Sequence, residues 1–82
     1  MMTKDLLKEY VDCGREIEFK YNDKMYSITY GIIDDEEVIS FCEFYKETTE
    51  VKTFEELIEV SRDGVTVLQM WESITDEEAW IY

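Results

Sequence analysis

The stretch Ile17-Glu18-Phe19-Lys20-Tyr21-Asn22-Asp23-Lys24-Met25-Tyr26-Ser27-Ile28-Thr29-Tyr30-Gly31-Ile32 decides the fold. Ile17, Phe19 and Tyr21 alternate with Glu16, Glu18 and Lys20. Beyond Asn22-Asp23-Lys24, Tyr26, Ile28, Tyr30 and Ile32 alternate with Met25, Ser27, Thr29 and Gly31. A period of two sends successive side chains to opposite faces of a strand. Two such runs around an Asn-Asp turn predict an antiparallel hairpin, although Asn-Gly would be a stronger turn signal. The Ile, Phe and Tyr positions are expected to face the core.

Upstream of the hairpin the period is helical. Leu6, Leu7, Tyr10 and Val11 recur at helical spacing and leave Lys4, Asp5, Lys8 and Glu9 mostly outside. This predicts a first helix from Thr3 or Lys4 to about Asp12, with the Thr3 hydroxyl as N-cap and Gly14 as a left-handed stop.

Downstream, Asp34-Asp35-Glu36-Glu37 reads as a polar connection and Val38 to Tyr45 as a third strand. Both faces of that run are fairly apolar: Val38, Ser40, Cys42 and Phe44 on one, Ile39, Phe41, Glu43 and Tyr45 on the other. It is therefore either the central strand or one covered on both sides, and periodicity does not choose. Lys46 to Lys52 is charged and threonine-rich and is expected to be a loop.

Thr53-Phe54-Glu55-Glu56 has the form of a capping box and opens a short helix ending near Arg62, with Phe54, Leu57 and Ile58 inward. Asp63-Gly64 is a turn signal. The segment 66–74 reads two ways. Val65 to Met70 has β-branched residues that suit a strand, whereas Thr66 and Gln69 form another capping pair and Val67, Met70, Trp71 and Ile74 share a helical face. The helix is favoured because its period runs through Ile74. After the cap-like Thr75 to Glu78, a last helical turn and a short strand both fit.

The expected fold is α+β: an antiparallel sheet of at least three strands packed against two or three short helices. Helices 1 and 2 are expected on one face, and Phe19, Ile28, Phe41, Leu57 and Trp71 in the core. The chain, 82 residues without linker or repeat, reads as a single compact acidic domain, 1–82. A chain of this size removes roughly 60–65% of its unfolded surface from water, enough for one core.

Twenty-one acidic residues against eight Lys and Arg give a formal charge of −13 at pH 7. Charge of this sign repels nucleic acid and anionic membranes and attracts a basic partner. An apolar fraction of 45%, with two Trp, six Tyr and four Phe, separates the chain from disordered acidic tails. The acidic surface then either confers solubility alone or engages a basic protein. Cys13 and Cys42 lie beside apolar segments and are expected to be buried free thiols of the reducing cytosol. The N-terminus lacks a secretory apolar core and no run reaches a membrane span, so the expected location is cytoplasmic and no membrane association is expected.

Gly14-Arg15-Glu16-Ile17-Glu18-Phe19 through Tyr26-Ser27-Ile28, then Phe41-Cys42-Glu43-Phe44-Tyr45 and Thr53-Phe54-Glu55-Glu56-Leu57, resembles a family of small uncharacterised proteins from Gram-positive bacteria. The resemblance covers most of the chain and rests on fold patterns rather than reaction signatures. It implies a compact α+β protein with no assigned activity and supplies no catalytic residue. Asp63-Gly64 followed by Leu68 and Trp71 also resembles that group, in which a short helix follows the turn.

The available chemistry is narrow. Histidine is absent, which excludes His-based triads, His metal sites and deaminase centres. Cys13 and Cys42 alone do not make a structural zinc site. No GxxxxGK[ST] loop or GxGxxG turn occurs, and Gly14, Gly31 and Gly64 read as cap, strand and turn glycines. A carboxylate pair suits acid–base work, but the many acids select no pair. Asp34-Asp35-Glu36-Glu37 and Asp76-Glu77-Glu78 lack the EF-hand spacing and read as solvated turns.

No catalytic, cofactor-binding or metal residue is therefore assigned, no cofactor is implied, and the chain is not expected to be an enzyme. The expected function is an acidic protein-binding or regulatory module with a basic protein partner. The alternatives are a nucleic-acid-mimicking inhibitor of a nucleic-acid-handling protein and a folded domain with no charge-specific partner. Direct nucleic-acid binding is not expected. Tyr10, Tyr21, Tyr45 and Tyr82 are candidate interface aromatics, with core packing the simpler role for most.

Overall fold

Residues 2–82 are described by a computed structural model. The hairpin forms where the alternation predicts it. Strands β1 (Ile17–Tyr21) and β2 (Lys24–Ile33) pair antiparallel with Ile17 opposite Ile28, Phe19 opposite Tyr26 and Tyr21 opposite Lys24. Asn22 and Asp23 both have positive φ, 53° and 63°. A two-residue loop with both φ positive matches the right-handed twist of the strands, and Asn and Asp tolerate the left-handed region better than most residues.

The same device recurs at Asp34-Asp35, with φ of 52° and 66°. The polar connection is thus two residues, and Glu36 and Glu37 instead open strand β3 (Glu36–Glu43) opposite Ile33 and Ile32. The third strand runs from 36 to 43 rather than 38 to 45. It is not the central strand, because the sheet order is β4 (Thr48–Val51), β3, β2, β1, β7 (Ala79–Ile81), and β2 lies in the middle.

The expected loop between Lys46 and Lys52 is corrected to an edge strand, β4 (Thr48–Val51). Thr49 sits opposite Phe41 and Val51 opposite Ile39, both on the core-facing side, while Glu50 lies on the other face opposite Ser40. The β-branched residues suit the pleat, and the charged residues suit an edge that must not recruit further strands. Strand β7 (Ala79–Ile81) closes the other side of the sheet on β1, with Ile81 opposite Ile17 and Ala79 opposite Phe19.

Three helices cover the face that carries Phe19, Ile28 and Phe41. Helix α1 (Lys4–Asp12) is capped by the Thr3 hydroxyl, which accepts from the Leu6 amide at 3.2 Å. It stops in a Schellman arrangement: Gly14, at φ 70°, donates to Val11 and Arg15 donates to Tyr10, each at 3.0 Å. Helix α2 (Phe54–Glu59) has the Thr53/Glu56 capping box, and its Glu56 carboxylate also accepts from the Lys52 amide. The Lys52 amide first and then Thr53 hold that carboxyl below the usual range.

Helix α2 ends three residues before the expected Arg62, because Ser61–Arg62 (β5) pairs with Val65–Thr66 (β6) around Asp63-Gly64. Helix α3 (Val67–Ser73) settles the ambiguous segment. Thr66 and Gln69 cap each other, and Val67, Met70, Trp71 and Ile74 are buried. A 3-10 turn, Asp76–Glu78, leads into β7, so both C-terminal alternatives occur in succession.

Phe19, Ile28, Phe41, Leu57 and Trp71 are completely buried. The Trp71 ring meets Phe19 edge-on at 6.1 Å and Tyr10 at 6.4 Å, and its indole N–H donates to the Thr3 carbonyl at 2.8 Å. Phe41→Ala is expected to cost about 3–5 kcal/mol and Thr66→Ala about 1 kcal/mol. Urea denaturation followed by tryptophan fluorescence measures both, and an unchanged Phe41→Ala midpoint would remove Phe41 from the core.

Candidate protein-interaction surface

The chain's cations are largely occupied by its own atoms. Lys8 pairs with Asp12 at 2.8 Å, Lys24 with Asp63 at 3.2 Å, Lys20 with Asp23 at 4.0 Å, and Lys52 with Glu36. Arg15 donates to the Tyr82 carbonyl. Arg62 donates to the Thr49 hydroxyl at 2.5 Å and lies over the Phe41 ring at 5.3 Å. Among the described residues only four of the 21 acids, Asp12, Asp23, Asp63 and Glu36, hold a Lys or Arg in an ion pair. These pairs are exposed, and such pairs contribute little to stability. Their consequence is electrostatic: most of the negative charge is left facing solvent, and no basic strip remains.

Strands β2 and β3 are longer than β1 and β4, which flank them. β1 pairs with β2 only over Lys24–Ile28, and β4 pairs with β3 only over Ile39–Cys42. Residues 29–33 and 36–38 therefore form a two-stranded arm that carries the hairpin past both neighbours. At about 3.3 Å per residue, the five unflanked residues of β2 span roughly 16 Å. Ile32 is 72% exposed and Ile33 is 43% exposed. The alternation that placed Ile32 in the core holds for its direction but not its burial, since no helix reaches that far. The Tyr30 hydroxyl fastens the root of the arm by donating to the Arg15 carbonyl at 2.7 Å, and the Lys52–Glu36 pair ties it to the segment before α2.

A groove of about 610 Å³ lies between this arm and the C-terminal end of α1. Val11, Tyr30, Ile39 and Phe54 supply apolar lining, Ile32 one wall, and Asp12 and Glu37 acidic groups. The last turn of α1 contains no basic residue, and the amides of Cys13, Gly14 and Arg15 take its Glu9, Val11 and Tyr10 carbonyls. Burial first, then the nearby Glu16 carboxylate, pushes the Tyr30 phenol up to about 12.

The sequence-derived candidates are distributed unevenly. Tyr10 and Tyr21 are half-buried against the core, whereas Tyr45 and Tyr82 are exposed. The two cysteines are free, but neither is fully buried as expected. Cys13 is exposed at the end of α1, and Cys42 is half-buried where its thiol reaches the Glu43 and Lys46 carbonyls. Alternation separates Glu36 from Glu37 across the sheet, and Glu78 turns back to accept from the Thr75 amide. The two acidic runs thus do not gather their carboxylates at a point. Among the described residues no His, Cys, Asp or Glu group of three or more is arranged to hold a metal, and no helix is long and apolar enough to cross a membrane. No family model, curated protein or solved structure matches the chain.

A Tyr whose folded pKa exceeds its unfolded value of about 10 stabilises the fold fully below that pH and loses the contribution as pH rises through the folded value. The urea midpoint is expected to hold up to about pH 10 and fall toward pH 12. Tyr30→Phe should reduce the fall without abolishing it, because burial also raises Tyr26. A wild-type midpoint that is flat across this window would contradict the Tyr30 contact.

Proposed function

We propose that this chain is an acidic, non-enzymatic binding module of the cytoplasm that engages a basic protein. The observation that carries the reading is the one-sided use of charge. Six of the eight basic side chains, Lys8, Arg15, Lys20, Lys24, Lys52 and Arg62, are held by the chain's own atoms, while most acids are not paired. A surface of this kind speeds encounter with a positively charged protein and rejects anionic competitors. The exposed isoleucines of the arm supply the apolar contact that charge alone does not give. The free thiols support a reducing compartment.

Affinity capture from the native cytoplasm, followed by stopped-flow measurement on the recovered partner, tests this reading. The association rate is expected to fall at least about tenfold between about 20 mM and 0.5 M salt, with a much smaller change in dissociation. A partner that binds equally at both salt levels, or no partner at all, overturns it. Competition by nucleic acid for the same partner would narrow the module to a phosphate mimic. Generic DNA and RNA are expected to show no saturable submicromolar binding to the protein alone in fluorescence anisotropy at about 50 mM salt.

A further inference from the structure

The geometry points to the groove between the C-terminal end of α1 and the β2–β3 arm as the seat of one short segment of that partner: an apolar side chain flanked by Lys or Arg. The inference rests on the basic-partner reading and assigns it a location. The volume of about 610 Å³ suits a few residues of an extended segment rather than a folded domain. Val11 and Phe54, both nearly buried, form the floor, Tyr30 is half-buried beside them, and Ile32 offers a wall exposed over most of its area.

The charge around this floor selects the flanking residues. Glu37 lines the groove and has no ion-pair partner among the described residues, and Asp34 and Asp35 crown the arm. Asp12 is shared with Lys8, and Lys52, the cation lining the groove, is held by Glu36. A second copy of the chain is disfavoured because each copy carries −13. A phosphate-bearing ligand meets the same repulsion.

Capped peptides titrated into the ¹⁵N-labelled full chain provide the test. The probes are Arg-Lys-Leu-Lys-Arg, the same peptide with Ser for Leu, and pentalysine. The Leu peptide is expected to bind about tenfold more tightly than the Ser peptide, the equivalent of about 1.4 kcal/mol for a partly buried Leu. Its amide shifts should concentrate at Val11 to Gly14, Ile32, Glu37 and Phe54. Ile32→Ser and Glu37→Lys should each weaken it at least about fivefold, whereas Glu77→Lys, outside the groove, should change it less than about twofold. Well-dispersed spectra of the variants establish that each is folded.

Equal affinity for the Leu and Ser peptides, shifts scattered over the acidic surface, or no binding by any probe overturns the groove assignment. With the captured partner, salt-sensitive binding that ignores Ile32→Ser and Glu37→Lys overturns the groove alone. Absence of any basic partner overturns the underlying reading.

Discussion

The burial of Trp71 is the constraint on which the structure depends. Its ring is sealed between Phe19 of the sheet and Tyr10 of α1, and its one polar atom finds the Thr3 carbonyl. A buried indole contributes a large apolar area but needs a partner for its N–H. Here that partner is the residue that caps α1, so one side chain fixes the start of the first helix, the position of the third and their distance from β1. Because α1 is placed in this way, its C-terminal end stands beside the root of the β2–β3 arm and bounds the groove.

Beyond that core, the molecule is shaped by unequal strand lengths. A sheet trimmed to the length of β1 would end near Ile28 and expose no isoleucine pair. The extra length of β2 carries Ile32 and Ile33 beyond the helices, where both stay exposed, while Val38 on β3 is buried. Acidic residues at and beside the turn keep this exposed surface hydrated. Exposed apolar side chains and unpaired carboxylates thus lie side by side on the arm.

Much of this was legible in the sequence because it depends on local chemistry. The alternation of Ile17 to Tyr21, the Thr53/Glu56 and Thr66/Gln69 boxes, and the Gly14 stop each involve residues within a few positions of one another. The missed features depend on remote partners. Thr48–Val51 is a strand because Phe41 and Ile39 lie opposite it, whereas the charged, threonine-rich run from Lys46 to Lys52 alone resembles a loop. The exposure of Ile32 follows from where β1 and the helices end, which no periodicity encodes. Cys13 lies just beyond the apolar segment that ends at Val11, yet the end of α1 turns it toward solvent. The groove combines residues from α1, β2, β3 and α2, so only the folded chain brings it together.

The paired-acid turn at Asp34-Asp35 also governs colloidal behaviour. Residues 29–33 of β2 carry main-chain groups along an edge that β1 leaves open, next to two exposed isoleucines. Such an edge is a template for another strand. At neutral pH, like charge keeps a second arm away. Near the isoelectric point of about 4.1 the carboxylates are partly protonated and the net repulsion vanishes. The open edge then loses the like-charge protection that the acidic tip gives it at neutral pH.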